Sequence, residues 1–506
     1  MKSKTTAIIL IILILGVIYK LLMTWDGNFL FNMDNGRDMV DVREMVVLQK
    51  LRLIGPTSAI EGLFNGPAWY YLLAIPFALS GGDPYASIVM EILLWAIGGF
   101  FLLKIVERWG KWIIVPVSMI WISSNYITLT TLYAFNPNPV THLSPLFIYL
   151  LDKYLEKGKL LFGAGAALLG GLFFNFEMNF GVFAPLIIFM STLLGKSSLL
   201  KTKNFWLASL FFLICLLPQA LFELRHQFFM TNSVINYLRN TQGVGYDIFL
   251  RLQSLTDSFV SVFSATLMNH KTFTLIVSLL LVLISLRFIK SKQKDKVVLI
   301  SLIYIFIPFI FYLFLPVTVN PWHLGAEAVA FIILSGFLIK TFWDLKLRGK
   351  LIASSLSVFI LFFAFSNIGN FFFRDIFREN NDPSLYKNEI AAIDYVYKYA
   401  NGQNFKVYTY LPSVYDYPYQ YLFWWYGKKV YGYVPGEYAY LPNKPPQYVP
   451  SKDKFEGSKD NFSGLVFLIK EPNHNYTRFG WEGDFVKLET VEKQMIGPLE
   501  IEIRKE

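Results

Sequence analysis

The segment FNMDNGRDMVDVREMV, residues 31–46, gathers ionisable side chains inside an otherwise apolar chain. Asp34, Asp38 and Asp41 stand at i, i+4 and i+7, with Arg37 and Arg43 among them. If the segment is helical, that spacing puts the three carboxylates on one face. One reading is a solvated helix face whose arginines pair with the carboxylates or with lipid headgroups. The other is a carboxylate base beside cations that hold a phosphate. Glycosyl transfer from a lipid-linked phosphosugar needs a base to take the acceptor's hydroxyl proton as it attacks the anomeric carbon. It also needs positive charge against the departing phosphate. It needs no general acid, because phosphate leaves as an anion.

Further groups join this list. Glu177 lies between Asn175 and Asn179, where two apolar runs end. An ionisable residue there is costly and marks a substrate contact, or else it reaches water from a helix end. NPWHLGAE, residues 320–327, brings Trp322, His323 and Glu327 to a loop expected on the same side. His323 is a candidate hydrogen-bond partner for a donor phosphate, against the plainer reading of an interfacial Trp-His pair. Trp69, Tyr70 and Tyr71 are expected to anchor an interface helix as an aromatic belt. The tyrosine-rich stretch 414–442 can pack a core or bind a glycan, and packing is favoured. Five scattered histidines give no zinc spacing. The single cysteine, Cys215, allows neither an intramolecular disulfide nor a cysteine metal site. No cofactor is expected, and no Gly-rich phosphate loop supports ATP-driven transport.

These residues must be positioned by a membrane protein. The 506 residues are 54% hydrophobic and only 16% charged, with a mean hydropathy of +0.44, whereas a soluble chain carries roughly a quarter charged residues. The net charge of +10 would suggest nucleic acid in a soluble protein. Here the lysines sit at the ends of apolar runs, so no nucleic-acid partner is expected. Runs near the length that crosses about 30 Å of hydrocarbon fall at 6–24, 84–106, 112–131, 139–152, 160–175, 180–195, 205–222, 271–289, 297–316, 324–340 and 351–369. The first lacks a cleavage site and reads as a retained signal-anchor.

Charges not used to find the runs orient them. With the N-terminus cytoplasmic, the inside loops hold Lys2 and Lys4, Arg108 and Lys111, and Lys153, Lys157 and Lys159. They continue with Lys196, Lys201 and Lys203, then Lys290, Lys292, Lys294 and Lys296, and finally Lys346, Arg348 and Lys350. The short outside loops near 132–138, 176–179 and 317–323 hold no lysine or arginine. The expectation is a polytopic α-helical membrane protein of about eleven transmembrane helices over residues 1–369, followed by a small α+β extracytoplasmic domain over 370–506. A first outside loop, 25–83, contains GPAWYYLLAIPFALSGG, read as a helix lying in or dipping into the interface. A second, 223–270, reads as amphipathic helices along the outer surface. In the tail, NEIAAIDYVYKYA is helix-periodic, FKVYTYL and GLVFLIK read as strands, and the end reads as a hairpin turning near Gly497-Pro498. Asn461-Phe-Ser and Asn475-Tyr-Thr match the glycosylation sequon, a pattern common by chance.

DNGRDMVDVREMV, followed by IGPTS and GLFNGPAWYYLLAIPFALSGG, resembles the first-loop signature of the C-type (GT-C) glycosyltransferase superfamily. The branch it is most similar to is that of the protein O-mannosyltransferases and the lipid A aminoarabinose transferases. Chain length, helix count, long first loop and external tail agree with that pattern. The resemblance implies that Asp34 takes the place of the catalytic acid and that Arg37 and Arg43 fall at the accompanying basic positions. Two features depart from it: Asn35 stands where many members have a second acid, and YAFNPNPVTH offers Asn136, Asn138 and His142 in place of a second-loop carboxylate. The base is therefore left between Asp34 and Asp38.

The function this implies is transfer of a sugar, with inversion, from a polyprenyl-phosphate donor at the outer face of a bacterial cytoplasmic membrane. The acceptor is a glycan, a lipid or a protein, and membrane lipids surround the site. Asp41, Arg37, Arg43, Glu177 and His323 are the expected substrate contacts. Two other classes remain open: a lipid or polysaccharide transporter or flippase, for which no half-repeat is visible, and a non-catalytic assembly factor that binds partners through its tail.

Overall fold

The structure is a computed structural model that describes residues 2–58, 60–241, 247–267, 269–289, 295–315, 317–371, 381–442, 448–449, 451–472 and 477–506. Lys290, Lys292, Lys294 and the sequon at Asn475 lie outside the described residues.

Among the described residues, seven helices are long and apolar enough to cross a membrane. They are Lys4–Gly27, Pro84–Trp109, Met178–Lys201, Lys203–Arg225, Lys296–Phe314, Pro321–Trp343 and Leu347–Asn370. An eighth candidate, Ile248–Leu267 with Lys271–Ser285, is bent by 103°. The expectation of about eleven spans thus meets seven full-length helices, one bent pair and several shorter apolar ones. The run 112–131 shows why. Ser124 leaves the helical conformation at ψ 133°, splitting the run into Ile114–Ser123 and Asn125–Leu129. Its hydroxyl then caps the second piece by accepting from the Ile127 N–H at 3.3 Å. The run 139–152 lies within a 20-residue helix, Asn138–Lys157, with a polar start.

The chain divides into two compact units. The first comprises Met1–Leu21, Arg52–Trp69 and Met90–Phe372, and the second Leu22–Leu51, Tyr70–Val89 and Phe373–Glu506. Much of the first loop therefore folds with the tail rather than with the apolar helices.

In the first unit, three loops expected to share one side meet. Arg108 pairs with Asp152 at 2.7 Å, the Trp109 indole donates to Asp295 at 2.8 Å, and Lys296 donates to the Leu155 carbonyl at 3.0 Å. The loop 223–270 does form helices, Phe229–Thr241 and Ile248–Leu267. The second is no simple surface helix. Its buried Leu255, Phe259, Val262 and Phe263 make one apolar face, and the Phe263 ring stacks on Phe331 at 4.2 Å.

In the second unit, a five-stranded sheet is built from β1 (Asn404–Tyr410), β2 (Glu437–Ala439), β3 (Phe462–Lys470), β4 (Glu489–Ile496) and β5 (Leu499–Lys505). Its order is β2-β1-β3-β5-β4. β1 runs parallel to both neighbours, and β3–β5 and β5–β4 are antiparallel. Alternation along β1 feeds two faces. Phe405 meets Tyr397 of the helix Tyr386–Ala400 at 5.2 Å, while Tyr408 and Tyr410 join Trp481 and Phe485 on the other side. Ile496 pairs with Leu499, so the final hairpin turns through Gly497-Pro498, and Gly497 at φ +57° supplies the conformation a two-residue turn needs. The tail also grips the first loop. The Phe31 N–H donates to the Ser384 carbonyl at 2.8 Å, and the Tyr386 N–H donates to the Phe29 carbonyl at 3.0 Å.

Candidate active site

The first-loop acidic segment is a helix, Met33–Val47. Asn32 caps it, accepting from the N–H groups of Asp34 at 3.1 Å and Asn35 at 3.3 Å. Asn35 returns the bond, its Oδ1 accepting from the Asn32 N–H at 3.2 Å. This reciprocal capping box gives Asn35 a structural task at the position where a second acid was absent. It also sets Asp34 in the first turn, where the helix dipole favours a carboxylate.

Arg37 bridges two carboxylates. Its Nη1 meets Asp34 at 2.8 Å, while Nη2 and Nε meet Asp38 at 2.8 and 2.9 Å. Burial works against the Arg37 charge, yet Asp38, Tyr70 and Asp34 hold its pKa above the ordinary arginine value. The two acids differ in access: the Asp34 side chain is 32% exposed and that of Asp38 only 1%. Asp41, on the same face, accepts from the Tyr70 hydroxyl at 2.8 Å. Tyr70 is therefore a partner of this cluster rather than part of a belt. Trp69 is fully buried and Tyr70 nearly so, and only Tyr71 is exposed.

Arg43 is placed differently. It is 1% exposed, with its guanidinium 3.8 Å from the Phe455 ring centroid and 5.2 Å from that of Trp424. Nη1 donates to the Gln420 carbonyl at 3.2 Å. This is a cation enclosed by aromatic faces, and no open side of it is offered to a ligand.

In the first unit a second polar group forms. Glu177 breaks the helix Leu160–Phe176 and caps the short turn after it, accepting from the Asn179 N–H at 3.1 Å. Burial pushes its carboxyl up to about 7, against the lowering effect of the Asn179 bonds. His323 accepts from the Asn320 N–H at Nδ1, 3.2 Å, and its Nε2 lies 3.1 Å from the Asn179 amide nitrogen. Asn179 thus joins Glu177 to His323, itself reaching across 144 residues of sequence to the His323 ring. Asn136 donates to the Phe176 carbonyl at 2.6 Å, and Tyr312 to the Asn179 carbonyl at 3.0 Å. Glu327, named in the sequence only as a neighbour, is fully buried, and neither of its oxygens has a hydrogen-bond partner among the described residues. His142 instead meets Glu91 at 3.1 Å in a fully buried pair. Among the described residues no three His, Cys, Asp or Glu side chains are placed to hold a metal ion.

Chemically, the Met33–Val47 face offers a partly exposed carboxylate, Asp34, locked in orientation by an arginine that the buried Asp38 holds in turn. That arrangement suits a base whose position must not drift.

Residues 65–222 match the family model described as dolichyl-phosphate-mannose-protein mannosyltransferase. No curated protein matches the chain. Among solved structures, the chain is similar to ArnT from Cupriavidus metallidurans, in crystal structures bound to undecaprenyl phosphate and in the apo state. Each match has a TM-score of 0.61 at 9% identity and covers 98% of both chains. The family match is confined to residues 65–222, and what the chain shares with ArnT along nearly its whole length is the fold.

Proposed function

We propose that this protein is a membrane glycosyltransferase that moves a sugar from a polyprenyl-phosphate donor to an acceptor hydroxyl at the outer face of a bacterial cytoplasmic membrane. The observation that carries this reading is the partly exposed Asp34 carboxylate fixed by Arg37 at 2.8 Å. The fold shared with a protein crystallised with undecaprenyl phosphate supports the donor class.

In the proposed step, Asp34 takes the proton of the acceptor hydroxyl as that oxygen attacks the anomeric carbon. The bond from that carbon to the phosphate oxygen breaks, and the lipid phosphate leaves as an anion without a proton. Displacement from the face opposite the leaving group inverts the configuration. Asp38, buried on Arg37, positions Arg37, and Arg37 positions Asp34 and keeps positive charge beside the reacting centre. Asp41, with Tyr70, is assigned to contact the acceptor. Glu177 and His323 are assigned to substrate as well, through the Asn179 link. Arg43 is assigned to stiffening the second unit, since its charge is spent on aromatic faces.

The test incubates purified full-length protein with a panel of radiolabelled polyprenyl-phosphate sugars and membrane extract. A labelled covalent product is expected, and Asp34→Asn is expected to abolish it while expression and topology stay intact. Full activity in that variant removes Asp34 as base. Transport into vesicles with no covalent product replaces this reading with a transporter.

A further inference from the structure

The tyrosine-rich stretch divides into two populations. Tyr419, Tyr421 and Tyr438 are at most 1% exposed and build the interior of the second unit. Tyr415 is 44% exposed. Its ring is stacked with Tyr417, centroids 5.7 Å apart and planes at 26°. Tyr448 stands edge-on behind both, at 5.1 and 5.0 Å, and is fixed there because its hydroxyl donates to Asp416.

Three features separate this pair from ordinary packing. Val414, which precedes it, adopts φ +69°, a left-handed conformation that is a genuine outlier for a β-branched residue. Such strain persists only where the surroundings enforce it, and it clusters at functional sites. Val414 is itself 48% exposed, so the strain is not repaid by burying its side chain. Finally, the Tyr417-Pro418 peptide lies against Gly36, where an added Cβ would fall 2.3 Å from the Pro418 nitrogen and 2.5 Å from the Tyr417 carbonyl carbon. Gly36 stands between Asp34 and Arg37 on the site helix, and Asp41 and Arg37 both act electrostatically on the Tyr417 hydroxyl.

We infer that Tyr415 and Tyr417 form a stacking platform for a pyranose ring of the acceptor, so that the acceptor is a carbohydrate. A pyranose face presents C–H bonds of partial positive charge, which an aromatic face of negative charge attracts. Two near-parallel rings braced by a third offer such a face already ordered, with little side-chain entropy left to lose on binding. The inference deepens the glycosyl-transfer reading and rests on it for its consequence, though not for the binding itself.

The experiment measures binding of maltotetraose, chitotetraose and mannotetraose, and of a Ser/Thr-rich peptide, to detergent-purified full-length protein by saturation-transfer NMR. At least one oligosaccharide is expected to bind through its ring C–H protons. Tyr415→Leu, which keeps apolar bulk but removes the π-face, is expected to weaken it about fivefold, and with Tyr417→Leu about tenfold or more. Tyr415→Phe keeps the affinity. Asp34→Asn also keeps it, because the platform precedes the chemistry; loss of transfer in Asp34→Asn and loss of binding in Tyr415→Leu are therefore separate failures. Binding of none of the three oligosaccharides overturns the platform. So does unchanged affinity in Tyr415→Leu, or binding of the peptide alone.

Discussion

The Tyr70 hydroxyl donates to Asp41 at 2.8 Å, across 29 residues of sequence. A buried phenol thereby anchors the third carboxylate of the site helix to the helix Ala68–Ser80. Tyr70→Phe removes this donor from the Asp41 carboxylate. The expected cost is about 1.5–3 kcal/mol for a lost bond to a charged group. Thermal unfolding in detergent measures it, and an unchanged midpoint would remove this anchoring role.

Arg37 holds two carboxylates at once, which a planar guanidinium does and an ammonium does not. Arg37→Lys is expected to keep the charge yet lower kcat at least tenfold, with folding nearly intact. Wild-type kcat in that variant would show that charge alone, without the fork, suffices.

Replacing Gly36 by Ala in a helix interior ordinarily stabilises by about 1 kcal/mol. Here the new methyl would meet Pro418 backbone at 2.3 Å, so the sign should reverse. A loss of about 1–3 kcal/mol is expected from overpacking, together with lower transferase activity. A higher melting temperature for Gly36→Ala would contradict the close approach.

Glu471 sits at the end of β3, 6% exposed. Burial, with Asp382 adding to it, pushes its carboxyl up to about 8. Glu389, fully buried nearby, is shifted the same way by burial and then by Glu471 and Asp382. The folded state thus keeps a proton that the unfolded chain releases near its ordinary value of about 4.3. Stability is full below that value and falls as pH rises towards 8, by an amount on the order of a few kcal/mol. Glu471→Gln should flatten part of this slope in melting curves recorded between pH 5 and 8. A slope that is the same in both proteins would count against the buried acid.

Some of this architecture could be read from the residues alone. The i, i+4, i+7 spacing of Asp34, Asp38 and Asp41 is a local property of one helix, so periodicity suffices to find it. The strands FKVYTYL and GLVFLIK and the Gly497-Pro498 turn are equally local. What escaped depended on distant partners. Arg43 looks like a phosphate ligand until Phe455 and Trp424 close around it. Tyr70 looks like a belt residue until Asp41 claims its hydroxyl. Glu327 gave no signal, because an acid at a helix start is ordinary and only its lack of partners sets it apart. The run 112–131 reads as one span because hydropathy cannot see Ser124 leave the helix. Of the tyrosines, composition favoured packing, and the exposed Tyr415 ring, stacked on a half-buried Tyr417, departs from it.

The seat of Arg43 has a consequence for synthesis. Its partner Gln420 follows it by 377 residues, so the site helix leaves the ribosome long before anything exists to close over that guanidinium. At about 5–20 residues per second, the wait is roughly 20 to 75 s. During that interval the nascent first loop is an open segment carrying an unburied cation, and a chain stopped short of residue 420 would never shelter it.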